Sequence, residues 1–249
     1  MILEEFKLEG NVAILTGCGH NWLKYLGLAL AQAGATVVTA GPDQKQIESG
    51  IEEIRKLERK AMAIPTNLMS SREIQKMTDD TLSQFGRIDL LVNNLNLEFG
   101  KPFVEITEGE WKQVVDNNLT AIFLCSQAVG RHMVEQKGGK IINIVSGAAE
   151  RGLPNGTAYC ASMGGVVQLT RALALEWARK NVRVNAVGVG WMGNSFGGNK
   201  EDAVAHYIPV RRCARPEDIA PLIVFLASNA SSYLSGQIYF VDGGLMSRS

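Results

Sequence analysis

Val12-Ala-Ile-Leu-Thr-Gly-Cys-Gly-His-Asn-Trp-Leu23 opens on a short apolar run and then breaks into small and polar residues. Val12–Thr16 reads as a strand. Leu23–Ala33 repeats apolar residues at helical spacing and stops at Gly34, a good C-terminal cap. Thr36–Ala40 is the next strand. The same alternation runs outward to the end of the chain. Helices are expected at Gln44–Arg59, Ser71–Phe85, Glu108–Gln136, Thr157–Arg179 and Pro216–Ala227. Strands are expected at Ala61–Ile64, Ile88–Val92, Lys140–Val145, Val182–Val187 and Gln237–Val241. The strands are short, continuous apolar runs, which is the pattern of a parallel sheet covered on both faces. The expected fold is therefore α/β: a single doubly wound, Rossmann-type domain over residues 1–249, with seven parallel strands and helices on both faces. Gly188–Asn199, rich in Gly and Asn and without periodicity, reads as a mobile loop.

Composition narrows the function. The 249 residues carry 25 basic and 25 acidic side chains, so no positive excess exists for a phosphate backbone or an anionic membrane. No nucleic-acid or membrane partner is expected. Met1-Ile-Leu-Glu-Glu is acidic and unlike a signal peptide, and no apolar run nears 18 residues. Four scattered cysteines without a CxxC pair fit a reduced, cytoplasmic setting. His20, His132 and His206 share no metal-ligand spacing, so no metal is expected.

A second set of residues recurs at fixed places on this frame. Thr16-Gly17 follows the first strand, and Asn93-Asn94 follows the fourth. Asn118-Leu119 lies inside the long helix. Ser146 follows the fifth strand, with Tyr159 thirteen residues later. Arg215-Pro-Glu-Asp218 and Val241-Asp-Gly-Gly244 complete the series. In this order and spacing the chain resembles the short-chain dehydrogenase/reductase family over essentially its whole length. The resemblance implies a nicotinamide-dependent oxidoreductase, usually tetrameric, that uses a Ser–Tyr–Lys set supported by an Asn. Tyrosine acts as the acid/base and serine holds the substrate oxygen. Lysine lowers the tyrosine pKa and grips the ribose. Asn118, Ser146 and Tyr159 match that set.

The lysine does not. Tyr-x-x-x-Lys is here Tyr159-Cys-Ala-Ser-Met163. A tyrosine of ordinary pKa, about 10, is only about one part in a thousand ionised at pH 7. A cation one turn along would favour the phenolate, and Met163 is neutral and donates nothing. The cofactor places depart too. Thr-Gly-x-x-x-Gly-x-Gly is here Thr16-Gly-Cys-Gly-His-Asn-Trp-Leu23, with Asn21 and Leu23 where glycines should serve the turn, the close approach to pyrophosphate and close helix–strand packing, the last made difficult by the branched Leu23. Gly41-Pro42 stand where an acidic residue or an arginine would meet the adenosine ribose. Asn-Asn-Ala-Gly has become Asn93-Asn-Leu-Asn96, and Pro-Gly has become Val189-Gly190, with Asn194 in the place of a threonine. Gly17 and Asn93 are left as remnants of the cofactor site.

These losses cluster on the cofactor and the tyrosine–lysine pair, while the helices and the tail remain. The expectation is a non-catalytic subunit of a heteromeric NAD-dependent dehydrogenase that oxidises a secondary alcohol. Such a chain binds no cofactor itself. NAD would reside in an active homologous partner, and the two would form a heterotetramer. Overall resemblance suggests 2-[hydroxy(phenyl)methyl]succinyl-CoA as substrate, oxidised to benzoylsuccinyl-CoA in anaerobic toluene degradation. The alternative is a divergent but active NAD(P)-dependent oxidoreductase, and a third reading is a nucleotide-sensing binding module.

Overall fold

Seven strands form one parallel sheet in the order β3-β2-β1-β4-β5-β6-β7, in a computed structural model that describes residues 2–18, 22–192 and 204–247. The strands are β1 Val12–Cys18, β2 Thr36–Gly41, β3 Ala61–Pro65, β4 Leu90–Leu95, β5 Gly139–Ser146, β6 Val182–Val189 and β7 Ile238–Val241. The helices that cover them are α1 Trp22–Gln32, α2 Gln44–Glu48, α3 Ile51–Lys56, α4 Ser71–Phe85, α5 Glu108–Val115, α6 Ala121–Glu135, α7 Thr157–Trp177 and α8 Pro216–Ala227. Alternate strand residues feed two apolar layers, as a pleated strand requires. Ile14, Leu91 and Ile141 pack against α4, α6 and α7 on one face. Leu15, Val92 and Ile142 pack against α1 and α8 on the other. The doubly wound architecture read from the alternation is the one observed.

Three departures bear on the site. First, β1 and β4 run further than their apolar stretches. Gly17 pairs with Asn94 and Cys18 with Leu95, two steps beyond the Thr16–Asn93 pair where β1 was expected to end. Ladder hydrogen bonds and neighbouring strands, not hydropathy, set that end. Second, the helix expected at Gln44–Arg59 is two short helices. Gly50 adopts φ +86°, a left-handed geometry that glycine takes without strain and that breaks the helical run. Third, the long helix over Glu108–Gln136 contains a π turn at Asp116–Thr120, where Ala121 N–H bonds back to Asp116 O. The extra residue per turn swings Asn118 inward, and such turns are frequent at functional sites. β6 also continues to Val189, so the expected loop begins later, and residues 193–199 of it lie outside the described residues.

Candidate active site

Strand order reverses between β1 and β4, and a parallel sheet of this kind opens a crevice at that point, beyond the strand C-termini. A cavity of about 630 Å³ lies there, with Trp22, Asn94, Asn96, Ser146, Tyr159 and Trp191 in its wall. Ser146 ends β5 and Tyr159 lies in the first turn of α7, so a strand end and the start of the helix that follows it meet at one end of the cavity. The Ser146 hydroxyl accepts a 3.0 Å bond from Ala148 N–H, which fixes its rotamer. The Tyr159 hydroxyl donates to Asn96 Oδ1 at 2.7 Å and also meets the Ser146 hydroxyl. Burial pushes the Tyr159 phenol up to about 12, and hydrogen bonds given to the phenolate, by the Ser146 hydroxyl and by the Asn96 amide once turned, offset only part of that. Tyr159 is therefore a neutral phenol at physiological pH.

Met163, in the lysine place, is fully buried in the layer beneath α7. It offers the phenol neither charge nor proton. Asn118 is also fully buried and does not reach the Tyr159 hydroxyl. Its Oδ1 accepts from Leu97 N at 2.6 Å. Its Nδ2 donates to Leu97 O at 3.1 Å and to Ser162 Oγ at 3.1 Å. Ser162 Oγ donates in turn to Tyr159 O at 2.8 Å. Asn118 is thus a clamp: it ties the segment after β4 to the first turn of α7 and so holds Asn96 opposite Tyr159.

The expected cofactor places have varied fates. Leu23 does not crowd the crevice. It is buried in the core, and its Cδ2 would lie 2.9 Å from a Cβ on Gly17, so the missing Cβ of Gly17 makes the room that Leu23 fills. A Cβ on Gly41 would collide with the Gly17 carbonyl oxygen. The prolonged β1 places that carbonyl there, and no side chain can stand at position 41. Pro42 is exposed, and Asp43 behind it caps α2 through bonds from Lys45 N and Gln46 N at 3.0 and 3.2 Å. Asn93 turns away from the crevice into the sheet, where it is fully buried and bonds Thr16, Ser126 and Asn143. Leu95 faces the core, whereas Val189 lines the cavity. Asn21 and Asn194 lie outside the described residues.

Sequence reasoning paired neither Asn96 with Tyr159 nor Asn118 with Leu97, since both contacts cross more than 20 residues. It also missed Trp22, Glu98, Arg151 and the tail residues Leu245 and Met246 in the cavity wall. Arg151 donates to Leu245 O at 2.9 Å, which seats the tail over this end of the crevice. Nothing local marks those residues. Only alternation along Asn93-Asn-Leu-Asn96 could have shown that Asn94 and Asn93 face opposite ways.

The residues present fit the nicotinamide end of a dinucleotide. Ile144 and Val189 give apolar walls, and the two hydroxyls stand at their edge. At the adenosine end, Gly41 offers no group to a ribose, and Met163 offers none to the other ribose. Among the described residues no helix is long and apolar enough to cross a membrane.

Comparison with known proteins gives the kinship. A family model described as enoyl-(acyl carrier protein) reductase matches residues 26–246. The 2-dehydro-3-deoxy-D-gluconate 5-dehydrogenase of Escherichia coli K12 is 36% identical over 255 residues, covering all of both chains. The 3-oxoacyl-[acyl-carrier-protein] reductase FabG of Thermotoga maritima is 34% identical over 96% of this chain and 99% of its own. A gluconate 5-dehydrogenase from Burkholderia cenocepacia, solved in complex with NADP and tartrate, superposes with a TM-score of 0.93 at 29% identity over the whole of both chains. These full-length relatives are named as dehydrogenases and reductases, which overturns the expectation of a non-catalytic supporting subunit and favours an active oxidoreductase. The aryl-succinyl-CoA substrate, the toluene pathway and the heterotetramer find no support among them. The seven-stranded fold, the full-length matches and the Ser146–Tyr159 pair together make this chain a member of the short-chain dehydrogenase/reductase family.

Proposed function

We propose that this chain is an active oxidoreductase that interconverts a ketone and a secondary alcohol, and that its site is built for the reducing direction. The observation that carries this reading is the pair of hydroxyls, Ser146 and Tyr159, at one end of a cavity of about 630 Å³. A carbonyl oxygen placed between them accepts two hydrogen bonds once the Tyr159 hydroxyl turns its proton from Asn96 Oδ1 to the substrate. As the carbon gains a hydride, that oxygen becomes alkoxide-like and more basic, and Tyr159 passes its proton to it. An alkoxide is far more basic than the phenolate left behind, so the transfer runs downhill even with the phenol held near 12. A nicotinamide dinucleotide, when bound, supplies the hydride.

Oxidation asks the reverse of Tyr159. It needs a phenolate to take the alcohol proton, and a phenol that ionises near 12 is only about one part in 100,000 phenolate at pH 7. The pH dependence follows with its sign. The reducing rate stays flat between pH 6 and 9, since the acid form is fully populated. The oxidising rate climbs about tenfold per pH unit over the same range, since the base form does. The relatives' named substrates, keto-sugar acids and oxoacyl thioesters, set the panel to try, beginning with 5-keto-D-gluconate.

The test follows nicotinamide absorbance with NADH and NADPH against that panel. Tyr159→Phe is expected to lower the reducing rate about a thousandfold, within the usual worth of a general acid. A variant as fast as the wild type would defeat the reading, and so would a wild-type chain inert towards every ketone with both cofactors.

A further inference from the structure

We infer that Asn96 is the positioning residue for the Tyr159 hydroxyl, with its carboxamide serving a phenol that has no lysine at position 163. Asn96 stands just past the end of β4, half-buried, with its side chain at the cavity wall. Its Oδ1 accepts the Tyr159 proton at 2.7 Å. The next residue, Leu97, is gripped through both its N–H and its C=O by the fully buried Asn118. Asn118 also reaches α7 through Ser162. The backbone at Asn96 is thus anchored to the helix that carries Tyr159, and the 2.7 Å contact is held from both sides.

A carboxamide suits this place because it is both acceptor and donor. With the neutral phenol and no substrate, Oδ1 accepts the hydroxyl's hydrogen bond. When Tyr159 has given that proton to substrate, a half-turn of the amide presents Nδ2–H to the phenolate oxygen. One uncharged side chain then serves both protonation states, which a buried methionine at 163 cannot do. The other groups facing the phenol are the Ser146 hydroxyl from β5, Glu98 from the segment after β4, and Cys160 on α7. Glu98 and Cys160 both oppose the phenolate. Asn96 and Ser146 are the two groups that favour it, and Asn96 alone stands in a place where the family carries glycine.

This inference rests on Tyr159 as the proton donor of the proposed reaction, so its test is read without turnover. A fluorotyrosine at position 159, which ionises at lower pH than tyrosine, gives one fluorine signal whose shift reports its own titration in the full chain. Asn96→Leu, close in volume but without a hydrogen bond, is expected to raise the midpoint by about one pH unit. Asn96→Gln, which keeps the amide, should return the midpoint most of the way. Asn96→Ala serves the same purpose as Asn96→Leu if the larger side chain prevents folding, judged by circular dichroism. Equal midpoints in the wild type and Asn96→Leu, or in the wild type and Asn96→Ala, would overturn the inference, as would a lowered one. A raised midpoint together with a fully active Tyr159→Phe would keep Asn96 in this role and discard Tyr159 as the proton donor.

Discussion

Asn93 and Asn96 are three residues apart at the end of β4 and live in opposite worlds. Asn93 is fully buried, with every polar atom in use. Its Oδ1 accepts from Thr16 Oγ1 at 3.1 Å, and its Nδ2 donates to Ser126 Oγ at 3.2 Å and to Asn143 Oδ1 at 2.8 Å. Asn143 passes the chain on to Thr170 Oγ1 at 2.9 Å, which donates to Val166 O. Thr16, Asn93 and Asn143 are register neighbours on β1, β4 and β5, so the network is a rung of polar side chains across three strands. Asn96 is half-buried, faces the cavity and holds one hydroxyl. A closed network has no bond left for a ligand and so can only stabilise. An open one leaves hydrogen-bonding capacity for a substrate and contributes little to folding. The same residue type does one or the other according to which face of the strand it takes.

Breaking the closed network gives the largest effect expected. Asn93→Leu would leave Thr16, Ser126 and Asn143 short of partners in a region without water access. Such stranded groups cost about 1–3 kcal/mol each, and about 3 kcal/mol in total is expected after relaxation. At this chain length that lowers the melting temperature by roughly 6–12 °C. Asn96→Leu should cost under about 1 kcal/mol in the same thermal scan. Equal losses at the two positions would erase the distinction.

An alkaline scan probes the open side. Tyr159 ionises near 12 in the folded chain and near 10 in the unfolded one, so between those values the folded state keeps a proton that the unfolded state has lost. Stability then falls as pH rises through that window, by about 2 kcal/mol. Tyr159→Phe should remove that component of the slope. A wild type and variant with identical slopes would mean that the phenol is not held out of water in the folded chain.

Trimming the end of the closed rung gives a smaller effect than cutting its middle. Thr170→Val keeps the shape of α7 and strands only Asn143 Nδ2, for a loss of about 1 kcal/mol by chemical denaturation. A loss as great as that of Asn93→Leu would show that the rung fails as a unit rather than bond by bond.

Much of the fold was legible because its signals are local. Apolar runs spaced for strands, helical periodicities between them and Gly86 at the end of α4, with φ +79°, all act within a few residues. Ser146 and Tyr159 were legible as well, through their place after β5 and thirteen residues on. The site's departures were legible as letters but not as consequences. Leu23 in a glycine place read as an obstacle to close helix–strand packing, yet its side chain fills the room left by the missing Cβ of Gly17. The loss of activity inferred from such letters did not survive comparison with full-length relatives that are named as enzymes.

By itself, then, the sequence determined the alternation of strands and helices and the parallel sheet they imply, because each is written in spacing along the chain, and it pointed to the two hydroxyls through the family resemblance. Tertiary structure alone decided that Asn96 meets Tyr159, that Asn118 clamps Leu97 rather than the phenol, and that Gly41 must lack a side chain. Those outcomes depend on which strands lie side by side and how far their ladders run. In a parallel sheet the neighbours are brought together only after a helix has crossed over, so the contacts that shape the site join residues far apart in the chain.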